Sequence, residues 1–232
     1  MKAMILAAGL GKRMRPLTLE TPKPLLTAGG KALIEHHLEN LAAVGVQQVV
    51  INHAWLGHKI EAALGSGERW GLQIQYSSEG EPLETGGGIW RALPLLALRD
   101  DERLLVINGD VYSDLSLCDL LSAPLSESCL AHLVMVDNPE WHPQGDFLLQ
   151  DNGQLSGTDG RALTFAGISL LHRKLFPQQV DVEAFPLAPL LRQAIEQGRA
   201  SGYWHRGIWS DVGTPARLAE LNQLLTEHSG HE

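Results

Sequence analysis

Met1-Lys2-Ala3-Met4-Ile5-Leu6-Ala7-Ala8-Gly9-Leu10-Gly11-Lys12-Arg13-Met14-Arg15-Pro16 opens the chain. Ala3 to Ala7 reads as a short apolar strand. Gly9 and Gly11 make a turn, and Lys12, Arg13 and Arg15 place cations directly after it. Small residues let the backbone approach an anion closely, so that free N–H groups can cradle phosphate. Guanidinium groups add charge and forked donors for the same oxygens. Cations this close repel one another unless an anion sits among them. A strand running into such a loop points to phosphate chemistry on a nucleotide. Neither common glycine motif is present. A dinucleotide-binding turn has a third glycine and an acid about 20 residues on; Met14 and Thr27-Ala28-Gly29-Gly30 stand there instead. A Walker A loop needs glycine at the position of Leu6 and a hydroxyl residue at Arg13.

Beyond the loop, helical and strand patterns alternate. Ile34, Leu38, Leu41 and Val44 recur at helical spacing and Gly45 ends that helix. Val46 to Ile51 reads as a buried strand, residues 60–64 as a short helix and Leu72 to Tyr76 as another strand. A glycine-rich turn then enters a helix through Ile89, Leu93 and Leu96. Leu104 to Ile107 is the next strand and ends at Asn108-Gly109-Asp110. Such alternation predicts an α/β fold: a Rossmann-like, mostly parallel central sheet with helices on both faces. After residue 130 the pattern changes. Strands are expected at 130–136, 147–150, 154–156, 163–171 and 202–209, the second and third joined by a turn at Asp151-Asn152-Gly153. They suggest a small antiparallel extension. Pro215 opens a last helix.

Two further blocks extend the nucleotide signal. Thr21-Pro22-Lys23-Pro24-Leu25-Leu26 follows the first loop, and Ile208-Trp209-Ser210-Asp211-Val212-Gly213-Thr214-Pro215 lies near the C-terminus. With Leu6 to Thr18, they resemble the opening motif, the P-K-P-L lysine motif and the late W-x-D-V-G-T-P motif of sugar-1-phosphate nucleotidylyltransferases. The resemblance spans essentially the whole chain and its motifs are long. It implies one domain over 1–232, with a nucleotide-binding half (1–112) and a sugar-binding half (113–232) that carries the antiparallel extension.

Composition agrees with this frame. The 232 residues are 44% hydrophobic, ample for a core, and no apolar run approaches the about 18 residues of a membrane span. No charged-then-apolar leader precedes the first strand. Cys118 and Cys129 lack metal spacing and read as reduced thiols of a cytoplasmic protein. A formal charge of −9 argues against nucleic-acid binding, and it sets off residues 12–23, where four cations accompany one acid, Glu20. His36, His37, His53, His58 and His142 form no metal-spaced set.

Asp110, just past a strand's carboxyl end, lies where open α/β sheets bind ligands, and a carboxylate there suits a hard divalent cation. The resemblance implies that Asp110 and Asp211 hold Mg²⁺, and that a sugar 1-phosphate attacks a nucleoside triphosphate. It assigns Ala8, Gly9, Gly11, Arg13, Glu79, Gly87 and Asn108 to the nucleotide, with Arg13 and Lys23 as the catalytic cations. Arg15 would form a supporting ion pair. Pro82-Leu83-Glu84-Thr85-Gly86-Gly87 departs from the family's P-L-G-T-A-G at Glu84, which makes that residue a candidate for the base pocket. Gly145, Thr164, Gly167 and Glu183 match stretches that contact the sugar. His142-Pro143-Gln144-Gly145-Asp146-Phe147 is similar to the same stretch of bacterial N-acetylmuramate 1-phosphate uridylyltransferases, which implies UTP and that sugar. A muramyl carboxylate would want a nearby cation such as Arg91 or Arg206. The alternatives are mannose 1-phosphate with GTP, glucose 1-phosphate with dTTP or UTP, and a non-catalytic sugar-nucleotide sensor. A monomer or small homo-oligomer is expected, without nucleic-acid or membrane partners.

Overall fold

The computed structural model describes residues 1–176 and 184–229, with side chains to residue 227. Its elements run β1 (Lys2–Ala7), β2 (Thr27–Ala28), β3 (Lys31–Ala32), α1 (Leu33–Ala43), β4 (Gln48–His53), α2 (Gly57–Leu64), β5 (Gln73–Ser78), α3 (Glu84–Leu96), β6 (Arg103–Asn108), β7 (Val111–Ser113), α4 (Leu117–Leu121), β8 (Ala131–Val136), β9 (Phe147–Leu149), β10 (Leu155–Ser156), β11 (Arg161–His172), α5 (Ala188–Glu196), β12 (Ala200–Trp204), β13 (Trp209–Asp211) and α6 (Pro215–Ser229).

Strands β6, β1, β4 and β5 lie side by side and parallel. Their apolar residues point alternately to two covered faces, which is why they read as near-continuous hydrophobic runs. Ala3 and Ile5 face Ile34, Leu38 and Leu41 of α1 and Ile60 and Leu64 of α2. Met4 and Val106 face Ile89, Leu93 and Leu96 of α3 and Leu191 and Ile195 of α5. The long β11 then joins β6 antiparallel, with Ile168 opposite Ile107, and carries β8, β12, β9 and β10 into the same nine-stranded sheet. The expected β9–β10 pair is antiparallel, Leu155 facing Leu149. No helix among the described residues is long and apolar enough to cross a membrane.

Two boundaries differ from expectation, and both shape the site. The second parallel strand starts at Gln48 and runs on through Asn52 and His53, because these polar side chains are buried with hydrogen-bond partners at the strand's end. The stretch 202–209 is two strands rather than one. His205 turns the chain away from β8, its Nε2 lying 2.8 Å from Asp114 Oδ1, while the Asp114 N–H donates to Ile208 O at 3.1 Å. Freed from the main sheet, β13 pairs with β7 in a ribbon of its own. A third apolar cluster seats Met14, Ala28 and Leu33 against Val212 and Leu221, so α6 backs the loop after β1.

Candidate active site

The carboxyl ends of β1, β4 and β6 converge, with Leu6 in register with both Asn52 and Asn108. The loop leaving β1 is pinned from beneath. Gly11 adopts φ +59°, a Cβ there would lie 2.8 Å from Thr18 Cγ2, and Thr18 Oγ1 donates to Gly11 O at 2.7 Å. Gly11 is therefore a packing glycine, whereas Ala8 and Gly9 line the cavity beside the strand ends. Lys12, Arg13 and Arg15 are exposed and form no ion pair among the described residues. Arg15 thus lacks its expected ionic partner there. Arg13 nonetheless turns toward the acids: its Nη2 and Asp211 Oδ1 lie 3.4 and 3.1 Å from the point where a Gly213 Cβ would sit.

One side of the cavity is built on a buried carboxylate. Burying a charge is costly unless it is hydrogen-bonded. Glu79 Oε1 accepts from Asn52 Nδ2 at 2.6 Å and Oε2 from the Leu83 N–H at 2.8 Å. Asn52 Oδ1 in turn accepts from the Ala7 N–H at 2.9 Å, which ties β4 to the start of the loop that leaves β1. The glycines of α3 make room for this clasp: a Cβ on Gly88 would sit 2.5 Å from Glu79 Oε1 and 2.7 Å from Asn52 Nδ2. Gly86 gives way to Phe185. The Gly87 N–H, an expected nucleotide contact, donates instead to Phe185 O at 3.0 Å. Glu84 lies on the cavity rim beside Pro82 and Thr85, and its φ of +59° is the left-handed conformation that favours glycine. The sequence signals Asn52 only as a polar residue that closes the run Val49-Val50-Ile51.

On the other side, cations and acids meet. Lys23 is buried, and its Nζ lies 2.6 Å from Asp110 Oδ2. Asp110 follows Gly109, whose N–H donates to Leu6 O at 2.8 Å and fixes the turn out of β6. The β7–β13 ribbon brings in Asp211: it faces Val111 across the pair, and the Val212 N–H donates to Asp110 O at 3.0 Å. Arg217 Nη1 donates to Asp211 Oδ2 at 2.9 Å. Each aspartate thus keeps one oxygen, Oδ1, without a hydrogen bond among the described residues. No group of three or more His, Cys, Asp or Glu could hold a metal among the described residues. Asp110 and Asp211 line one cavity, and two carboxylates there are the oxygen ligands that a hard divalent cation would take.

Asn108 and Asp110 open onto a second cavity lined also by Arg13, Trp141, His142, Asp146, residues 164–167, Trp209 and Asp211. A register shift in β11 between Phe165 and Ser169 places Gly167, at φ +77°, where a Cβ would be 2.6 Å from Asn108 Nδ2. Thr164 Oγ1 donates to Asn138 Oδ1 at 2.9 Å, so this hydroxyl braces the wall. Gly145, at φ +68°, lies outside the lining and packs on Asn138 and Leu163. Its neighbour Asp146 reaches the cavity and accepts from the Phe165 N–H at 2.8 Å, with His142 Nε2 3.1 Å from its other oxygen. Arg91 and Arg206 are absent from the lining; Arg206 stacks on Trp204 at 3.9 Å. Glu183 lies outside the described residues. Trp141 stands on the cavity wall, in line with reading the six tryptophans as core or pocket wall; Arg217 carried no sequence signal of a role.

The nucleotidyl transferase family profile matches residues 2–143, which hold the glycine loop after β1, Lys23, Glu79 and Asp110. The chain belongs to the nucleotidyl transferase family. Along 231 residues this transferase is 47% identical to an N-acetylmuramate alpha-1-phosphate uridylyltransferase of Neisseria meningitidis, covering 97% of this chain and 98% of that one. It is 32% identical to a mannose-1-phosphate guanyltransferase of Gibberella zeae, covering 93% of this chain and 61% of that protein. The fold matches the crystal structure of HddC from Yersinia pseudotuberculosis complexed with GMP-PN, with a TM-score of 0.78 at 21% identity over 96% of this chain and 98% of that one.

Proposed function

We propose that this transferase moves a uridylyl group from UTP to N-acetylmuramate 1-phosphate, with Mg²⁺ as its cation, in the cytoplasm, acting as a monomer or small homo-oligomer. The 47% identity over nearly the full length of both chains is the observation that carries the reading. A phosphate oxygen of the sugar 1-phosphate attacks the α-phosphorus in line. The new P–O bond forms as the α–β bridge breaks, and pyrophosphate leaves with the electron pair. Because the nucleophile is already anionic, no general base is needed. The task is to bring two polyanions together and to stabilise moving charge.

The chain's residues suit that task. Arg13, exposed at the loop, meets the triphosphate and its leaving group. Lys23, held beside Asp110 at 2.6 Å, is placed for the α-phosphate. A divalent cation held by Asp110 and Asp211 would supply the remaining charge neutralisation on the phosphates. Ala8 and Gly9 present backbone to the phosphates, and Glu84 faces the base. A carboxylate accepts from the imino N–H of either uracil or guanine, so Glu84 alone does not select between them. Pyrophosphate release over a grid of nucleoside triphosphates and sugar 1-phosphates tests the proposal. A signal confined to UTP with N-acetylmuramate 1-phosphate is expected. Turnover of mannose 1-phosphate with GTP instead would favour the activity named for the Gibberella zeae relative, and silence with every pair would sink the transferase reading.

A further inference from the structure

We infer that Trp141 is the platform on which the sugar ring is seated and that Arg217 is the positioning residue that holds it there. This rests on the transferase reading above. Trp141 is one of the few large apolar side chains left exposed among the described residues, at 50%, and it lies on the wall of the cavity that contains Asp110 and Asp211. Its ring is not loose. The Arg217 guanidinium lies 3.7 Å from the ring centroid and covers one face. That guanidinium is itself anchored, with Nη1 donating to Asp211 Oδ2 at 2.9 Å and to Asp211 O at 3.3 Å. The loop beneath is braced as well, since Asn138 Nδ2 donates to Pro143 O and Ala162 O at 3.2 and 3.0 Å.

A side chain ordered in this way loses little entropy when a ligand arrives, which is how preorganised sites gain affinity. The ligand must carry an apolar face and lie beside the acids. A pyranose does: its axial C–H bonds form a flat apolar face that stacks on an indole, while its hydroxyls and phosphate point to polar walls. The nucleobase is the competing occupant, but the cavity that holds Glu79 and Glu84 does not include Trp141. One guanidinium therefore serves two neighbours. It fixes the carboxylate of Asp211 and the ring that seats the sugar, so the two half-sites share a support.

Kinetics and calorimetry on the full chain test this, with N-acetylmuramate 1-phosphate as the sugar probe. Trp141→Ala should raise the sugar KM about tenfold or more and change kcat and the UTP KM far less. Trp141→Phe should recover most of that loss. Arg217→Lys keeps a charge for Asp211 and gives up the planar face, so it should raise the sugar KM with a small fall in kcat. Arg217→Met loses both supports and should lower kcat as well. Titration calorimetry of the sugar 1-phosphate without metal or nucleotide should show the same order of affinities, with melting temperatures confirming that each variant folds. An unchanged sugar KM and affinity in Trp141→Ala overturns the platform. A raised UTP KM instead assigns the ring to the base and overturns it equally. If the parent protein turns over no sugar 1-phosphate at all, the transferase reading falls, and unaltered sugar affinity in Trp141→Ala would then remove the platform separately.

Discussion

Glu84 stands where the P-L-G-T-A-G motif that this stretch resembles has glycine, and its backbone adopts the conformation that favours glycine, at φ +59°. Left-handed backbone costs an L-residue roughly 1–2 kcal/mol. Replacing Glu84 with glycine removes that strain, and the freer unfolded chain gives back roughly 0.5–1 kcal/mol. Taking the middle of each range, Glu84→Gly should therefore stabilise the protein by about 0.75 kcal/mol, or roughly 1.5–3 °C in melting temperature for a chain of this size. Glu84→Ala is the control, because it removes the carboxylate and keeps a Cβ at the same φ; it should not melt higher than the parent. Both variants should lose discrimination among nucleoside triphosphates to a similar degree. Scanning calorimetry reads the first effect, and pyrophosphate release over four triphosphates reads the second. A glycine variant that melts at or below the parent would refute the strain argument. An unchanged base preference in both variants would place the carboxylate outside the base pocket. Strain kept at a substrate cavity is a recurrent feature of functional sites, and here it would be the cost of holding an acid over the base.

The remaining predictions concern the acids, the buried clasp and pH. Asp110→Asn and Asp211→Asn should each reduce turnover by at least about 100-fold, and Lys23→Ala should lower kcat more than it raises the UTP KM; steady-state pyrophosphate assays decide both. Gly88→Ala drives a methyl group into the Asn52–Glu79 pair, where only 2.5 Å is available. It should destabilise the fold by on the order of 2–3 kcal/mol in urea titrations, and a loss under about 0.5 kcal/mol would mean the pair can shift freely. Burial holds His37 and His132 down at about 4, with His132 pushed further by Arg103. Their folded values lie below the ordinary value of about 6.5, so the unfolded chain binds more protons as pH falls. Stability should be flat above about pH 7, fall from about pH 6.5 toward 5 before the carboxylates titrate, and fall less in His37→Leu. Thermal melts across that range check the slope.

Several features were open to reading from residue order alone, because they are local. A strand, a glycine turn and a run of cations are neighbours along the chain, so the cationic glycine loop and the parallel sheet announce themselves by periodicity and small residues. Asp110 is legible for the same reason, as an acid two residues beyond an apolar strand. Long blocks such as Trp209 to Pro215 carry their own signal. The site, however, is assembled by contacts between distant residues, and periodicity does not encode these. Asn52 became important only because Ala7 and Glu79 lie on either side of it. Gly87 lost its free N–H because Phe185 passes by. The strand expected through Trp209 broke because Asp114 captures His205, and that break delivers Asp211 to Asp110. Trp141 and Arg217 lie far apart in the chain, and they meet only because the β7–β13 ribbon brings the helix that follows it against the loop before β9. Residue order thus specifies the elements and the kinds of side chain at their ends. Which polar groups are already engaged and which remain for a ligand follows from the folded arrangement, because hydrogen-bond partners are chosen by proximity in space.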